Sequence, residues 1–283
     1  MDILDLIGDT PLVKLKNISE KIGIELYLKL EYLNPSGSIK DRIIKEIILQ
    51  AETNGLLDKK KVLLEASSGN TAIALAWIGS LKGYKVKIIL PKDVTKERIK
   101  ILKILGADIV FTETEKDAIE LAKKLYEKEP NKYFYVNQFE NELNIKAHIK
   151  TALEIFKDIG VPNYVVAGIG TAGTIMGLAR FFKERGSKIV GVIPEKDYEI
   201  DGLVSPYVYK QPLLEENLID KFVKVKRKDA IKTMINLAKK EGIFAGISTG
   251  AVVYTMLNIS KKLKDGKIVG IAADSLFRYL SVI

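Results

Sequence analysis

The chain has 283 residues, 47% of them hydrophobic and 29% charged, with 45 basic against 36 acidic side chains, a single histidine and no cysteine. That length exceeds what one hydrophobic core usually supports, so two domains or one large α/β domain are expected, and no apolar run reaches the roughly 20 residues needed to span a bilayer. Lack of cysteine excludes disulfides, thiolate ligands and a cysteine nucleophile, and a lone His148 excludes a histidine-rich metal site, so no metal is expected.

The net charge of +9 resides on lysines set beside glutamates in helical stretches such as KKLYEKEPNK, not in a stripe interleaved with aromatics. That pattern indicates a solvated surface rather than a nucleic-acid face. The N-terminal MDILDLIGDTPL is acidic and lacks the charge order of a secretory signal, so the expected location is the cytoplasm. His148 lies in the helical stretch LNIKAHIKTALEIFKDIG with no triad partner beside it and reads as a helix-face or core residue.

In chain order, NPSGSIKDR (34–42) introduces a first long helix. Then come KVLLEAS (61–67), NTAIALAWIGSLKG (70–83), KVKIILP (85–91), KERIKILKILG (96–106), ADIVFTE (107–113), EKDAIELAKKLYEK (115–128) and YFYV (133–136). β-Branched runs here alternate with amphipathic ones, a βαβαβαβ series that implies a parallel sheet with helical crossovers. After the helix around His148 the alternation restarts: NYVVAGIG (163–170), TIMGLARFFKERG (174–186), KIVGVIPE (188–195), an irregular stretch at 196–220, KFVKV (221–225), DAIKTMINLAKKEG (229–242), a helix after GISTG (246–250) and KIVGIAAD (267–274). Two α/β domains are expected: a smaller one at 35–141, and a larger one from 1–34 and 142–283.

In open α/β sheets ligands sit beyond the carboxyl ends of the strands, so the strand-end loops SSGNT (67–71), GIGTAGT (168–174), GISTG and the turn at Asp274–Ser275 hold the candidates. Gly168-Ile-Gly170-Thr-Ala-Gly173-Thr174 follows a strand and opens a helix, where unpaired amides and the helix dipole can hold a phosphate. It is also formally G-x-G-x-x-G, with Glu195 ending the next strand, which admits a nicotinamide or flavin oxidoreductase. Lys40, in the first turn of a helix behind a Ser/Gly turn, is placed to serve as an amine nucleophile, although one lysine among many is weak evidence.

The nonapeptide NPSGSIKDR as a whole resembles the lysine motif of the cysteine synthase and cystathionine β-synthase family of pyridoxal-phosphate (PLP) enzymes. IGDTPLVKL (7–15), SSGNTAIALA (67–76), NQFEN (137–141), GIGTAGTIMG (168–177) and DSLFRYLS (274–281) resemble further family segments, in the family's order. The resemblance implies the two-domain fold type II, tryptophan synthase β-like, with a mostly parallel sheet flanked by helices in each domain. It makes Lys40 the Schiff-base lysine and proton carrier. It also implies that Asn70 bonds the cofactor's phenolic oxygen and that Gly170, Thr171, Ala172, Gly173 and Thr174 cradle its phosphate, the larger domain thus being the phosphate-binding one. Ser67, Ser68, Gly69, Thr71 and Gln138 would hold the substrate carboxylate. Ser275 would face the pyridine nitrogen. Asp274 is its rival on chemical grounds, since a carboxylate there keeps the ring protonated; the family pattern prefers Ser275, with Asp274 at a structural turn or helix cap.

The implied activity is β-replacement through an α-aminoacrylate, giving L-cysteine from O-acetyl-L-serine or O-phospho-L-serine and sulfide, in a homodimer with small-molecule substrates and neither membrane nor nucleic-acid partner. Cystathionine β-synthase and serine/threonine dehydratase are the alternatives on the same fold. The family commonly has glycine at Ala72 and Ala172, threonine at Ser67 and NPAN at NELN (141–144), and it commonly continues beyond the point where this chain stops, two residues after Ser281. From that last difference, loss of a site cover or of part of a dimer contact is expected. The substrate-side loop at 200–217 contains no arginine, and Lys210 is its only base.

Overall fold

The computed structural model describes residues 2–195, 199–206 and 210–281. In chain order it contains β1 (Leu12–Lys14), α1 (Lys16–Ile22), β2 (Glu25–Leu30), α2 (Lys40–Thr53), β3 (Val62–Ala66), α3 (Asn70–Leu81), β4 (Lys85–Pro91), α4 (Lys96–Ile104), β5 (Asp108–Thr112), α5 (Glu115–Lys128), β6 (Tyr133–Tyr135) and α6 (Leu143–Ile159). There follow β7 (Tyr164–Gly168), α7 (Gly173–Phe182), β8 (Lys188–Pro194), β9 (Lys221–Val225), α8 (Arg227–Glu241), α9 (Ile247–Ser260) and β10 (Lys267–Ala272). The chain separates into two compact units: Met1–Ile7 with Lys40–Leu143, and Gly8–Ile39 with Asn144–Ile283.

The smaller unit is built on a four-stranded, all-parallel sheet in the order β5-β4-β3-β6. Its central strands β3 and β4 are buried on both faces, because successive side chains point to opposite sides and both sides are covered by helices. Leu63 packs into a cluster with Ile43, Ile47, Ile73 and Ile88, whereas neighbouring Leu64 packs with Ala118, Ala122 and Tyr133. The N-terminal residues join this unit rather than the larger one. Ile7 and Leu4 pack against the first of these clusters, and Lys45 Nζ donates to the Leu4 carbonyl at 2.7 Å.

The larger unit carries a six-stranded sheet in the order β1-β2-β10-β7-β8-β9, parallel except for the three-residue edge strand β1, which pairs antiparallel with β2. Alternate residues again serve opposite faces: Val166 and Ile268 in one cluster, Val165, Ala167 and Val269 in the other. The α/β alternation read from the sequence is this parallel order. Within its own unit, each sheet therefore presents its carboxyl-end loops on one edge, where helices begin.

Candidate active site

In the larger unit, the β7–α7 loop is shaped by close approach. A Cβ on Gly170 would lie 2.7 Å from the Gly202 carbonyl oxygen, and one on Gly173 would overlap Oδ1 of Asn144. Ala172, at φ 70° in the left-handed region, is the N-cap of α7, and no side chain caps that helix. Its first-turn amides are thus left to an external acceptor. From α6, Asn144 Nδ2 donates to Thr171 Oγ1 at 2.8 Å, so the Thr171 hydroxyl proton is directed to another acceptor. His148, fully buried on α6, has Nε2 3.2 Å from Thr174 Oγ1 and Nδ1 3.3 Å from Thr151 Oγ1. The loop thus offers backbone amides at a helix N-terminus, two oriented hydroxyls and no carboxylate of its own, a donor set that fits a phosphate dianion.

The alternative reading of this loop required Glu195 as a ribose acid; that carboxylate lies 3.8 Å from Lys226 Nζ in an ion pair. The chain after Ile200 runs beside the glycines, with Val204 N donating to the Ile169 carbonyl at 2.7 Å. Arg227 holds it through Asp201 (3.1 Å) and the Glu199 carbonyl (3.0 Å). Residues 196–198 and 207–209 of the stretch read as irregular lie outside the described residues.

Ser275 is the N-cap of a short 3-10 turn at Leu276–Arg278: its Oγ accepts from Phe277 N and donates to the Phe244 carbonyl, both at 3.3 Å. The cap is therefore Ser275 itself. Neighbouring Asp274, 2% exposed, accepts a hydrogen bond from the Tyr279 hydroxyl.

The turn before Lys40 is fixed within the same larger unit. Gly37 N closes on the Asn34 carbonyl at 2.7 Å, with Gly37 at φ 88°, where a side chain would be strained. Asn34 Nδ2 donates to Glu31 Oε2 at 2.9 Å, and Thr10 Oγ1 donates to Glu31 Oε1 at 2.7 Å. These buried polar partners satisfy one another, as a buried network must. Nothing in composition or spacing marked Thr10 or Glu31, since both become neighbours of Asn34 only through the fold.

In the smaller unit, Lys40 is the first residue of α2 and is half-buried. Asn70 opens α3 behind Gly69, and α3 has no side-chain cap, so its first-turn amides can serve an anion. Ser67 Oγ accepts from Gly69 N at 3.2 Å and shapes that turn. Thr71 Oγ1 donates to Gln138 Oε1 at 2.6 Å; both residues are buried, and the bond makes the amide nitrogen of Gln138 the end that donates. Ser67, Ser68, Gly69, Asn70, Thr71, Gln138 and Lys40 thus belong to one unit, and the glycine loop and Ser275 to the other. Among the described residues, no group of three or more His, Cys, Asp or Glu is placed to hold a metal, and no helix is long and apolar enough to cross a membrane.

The family described as pyridoxal-phosphate dependent enzymes matches residues 3–274. A probable cysteine synthase of Bacillus subtilis is 39% identical over 298 residues, spanning 98% of this chain and 95% of the relative. A cystathionine beta-synthase of Apis mellifera is 38% identical, spanning 99% of this chain and 60% of the relative. The crystal structure of a cysteine synthase from Entamoeba histolytica superposes with a TM-score of 0.94 at 36% identity, covering 99% of this chain and 89% of that one. With a cradle suited to phosphate and a lysine opening α2, the chain belongs to the pyridoxal-phosphate dependent enzymes, in the family of the cysteine synthases.

Proposed function

We infer that the chain makes L-cysteine, exchanging the substituent on Cβ of O-acetyl-L-serine or O-phospho-L-serine for sulfide. The observation that supports the reading is the 2.6 Å bond from Thr71 to Gln138, which leaves the Gln138 amide nitrogen to donate to a carboxylate, in the same unit as Lys40. PLP, when bound, supplies an electron sink for the negative charge left at Cα.

The chain's own residues do the rest. Lys40 Nζ would hold the cofactor and, once released, would take the Cα proton and later return it. Ser67, Ser68, Gly69, Thr71 and Gln138 hold the substrate carboxylate, aided by the uncapped first turn of α3. Asn70 would bond the cofactor's phenolic oxygen, the amides and hydroxyls of Gly170–Thr174 would bind its phosphate, and the neutral Ser275 would serve its ring nitrogen. In balance, the Cβ–O bond breaks and acetate or phosphate departs with its electron pair. Sulfide sulfur then bonds to Cβ, and the proton held on Lys40 goes back to Cα.

Cystathionine β-synthase and serine/threonine dehydratase chemistry would use the same residues with a larger thiol, or water, in place of sulfide, and rates with each nucleophile separate them. The reading extends to a cytoplasmic homodimer, as the family likeness implies. Sedimentation should find a species of about twice the chain's 31.6 kDa, and a monomer at assay concentration would refute the dimer. The direct test of mechanism is Lys40→Ala, expected to lower cysteine formation by roughly 10²–10⁴-fold or more through lost proton transfer while the circular dichroism stays native. Turnover near the wild-type rate would overturn the assignment.

A further inference from the structure

One buried acid of the smaller unit has no part in the chemistry above. Glu65, the penultimate residue of β3, is 1% exposed. Its Oε1 accepts from Ala66 N at 3.0 Å and its Oε2 from Gln138 N at 3.3 Å, and the nearby Asn137 amide also favours its charged form. These donors come from two segments: Ala66 leads into the Ser67–Asn70 loop, whereas Asn137 and Gln138 open the turn after β6.

Asn137 sits at φ 50°, a left-handed conformation that aims successive amides at a common anion. Here the acceptor at that place is a protein carboxyl group. The side chain of the same Gln138 accepts the Thr71 hydroxyl at 2.6 Å. A continuous path thus runs from Glu65 through the Gln138 backbone to the Gln138 amide and the first turn of α3.

We propose that Glu65 is a positioning residue for the substrate carboxylate: it pins the Asn137–Gln138 peptide so that the Gln138 amide and the Thr71 hydroxyl are held in register. The proposal rests on the reading that Gln138 and Thr71 bind that carboxylate. Charge burial at this point is unfavourable, as burial pushes the Glu65 carboxyl up to about 8 while the three amides and the positive charge of Lys40 oppose the shift. A leucine or glutamine would fill the space without that penalty, but neither offers two acceptor oxygens to amides from two different segments.

The experiment compares dissociation constants of L-alanine and L-alaninamide on the PLP-loaded enzyme, followed by visible absorption. Neither ligand has a leaving group at Cβ, and they differ only in the carboxylate. Wild type should favour L-alanine. Gln138→Ala should abolish that preference, and Glu65→Gln, which turns an amide group toward N–H donors, should reduce it about tenfold with L-alaninamide binding unchanged. If Gln138→Ala keeps the preference, the carboxylate is bound elsewhere, and both the site reading and the proposal fall. If Gln138→Ala removes it and Glu65→Gln does not, only the proposal falls. Should Glu65→Gln not fold, Glu65→Asp keeps the carboxyl group but withdraws it by one methylene; an unaltered preference in that variant would equally refute the proposal.

Discussion

Glu65 also gives the clearest dependence of stability on pH. Its carboxyl is raised by burial from 4.5 to about 8, so between those values the folded chain holds a proton that the unfolded chain has lost. The corresponding stabilisation is complete below the unfolded value and disappears as pH rises through about 8, so stability should fall with pH across this window. Urea unfolding of the wild type and of Glu65→Gln, at intervals from mildly acidic to mildly alkaline pH, should give curves that diverge by at most a few kcal/mol, with the wild type losing ground as pH rises. Parallel curves would mean that the carboxylate is solvated or better paired than its burial indicates. This residue was not legible in the sequence. In KVLLEAS an acid at the end of a strand resembles an outward-facing polar position, and only the long-range approach of Asn137 and Gln138 turns it inward. Lys40, Asn70 and Gln138, by contrast, lie within short segments that the family resemblance singled out.

At the level of elements, the contact of α6 with α7 decides how the glycine loop proposed to bind phosphate is held. A Cβ on Gly177 would lie 2.7 Å from the Ile145 carbonyl oxygen and 2.5 Å from the His148 Cβ. Glycines four apart, at 173 and 177, therefore let α7 press against α6 until Asn144 reaches Thr171 and His148 reaches Thr174. Gly177→Ala should separate the helices, because the obstructing atoms include backbone, at a typical overpacking cost of about 1–3 kcal/mol. Equilibrium dialysis should then show PLP bound about tenfold more weakly than in wild type. Gly173→Asp should be worse, since it adds a carboxylate beside a dianionic phosphate and overlaps Asn144. Wild-type cofactor retention in both variants would put the phosphate elsewhere. The glycines were visible as a strand-to-helix turn, and His148 was legible as a buried helix residue. Its bond to Thr174 was not, because helix periodicity reports which face is buried and says nothing of what that face meets.

On the scale of the whole molecule, the alternation of strands and helices along the chain already implied two parallel sheets, yet the path between the units was not so readable. The chain passes from one unit to the other after Ile7, Ile39 and Leu143. Those passages are settled by which core accepts Leu4 and Ile7 and by the polar partners of Asn34, all distant in sequence.

The least legible feature is the donor substrate, and the placement of cations bears on it. A phosphorylated donor needs a positive group at its leaving oxygen, best an arginine fork. Arg278 donates to the Ser36 carbonyl, and Arg227 is engaged by Asp201 and the Glu199 carbonyl. Arg42 is 6% exposed on α2. This leaves Lys210, the only base of the 200–217 loop and an exposed residue, as the cation of the substrate-side loop. An exposed ammonium attracts phosphate weakly through water, so O-acetyl-L-serine is the expected donor. In a comparison of kcat/KM for the two donors with sulfide, wild type should favour the acetyl compound, and Lys210→Ala should leave the ratio within about twofold. A phosphoserine preference that Lys210→Ala removes would reverse the expectation and identify the cation. The same preference surviving that change would turn attention to Arg42 or Arg278, and exchanging each for glutamine would show which guanidinium leaves its present partner to meet the phosphate.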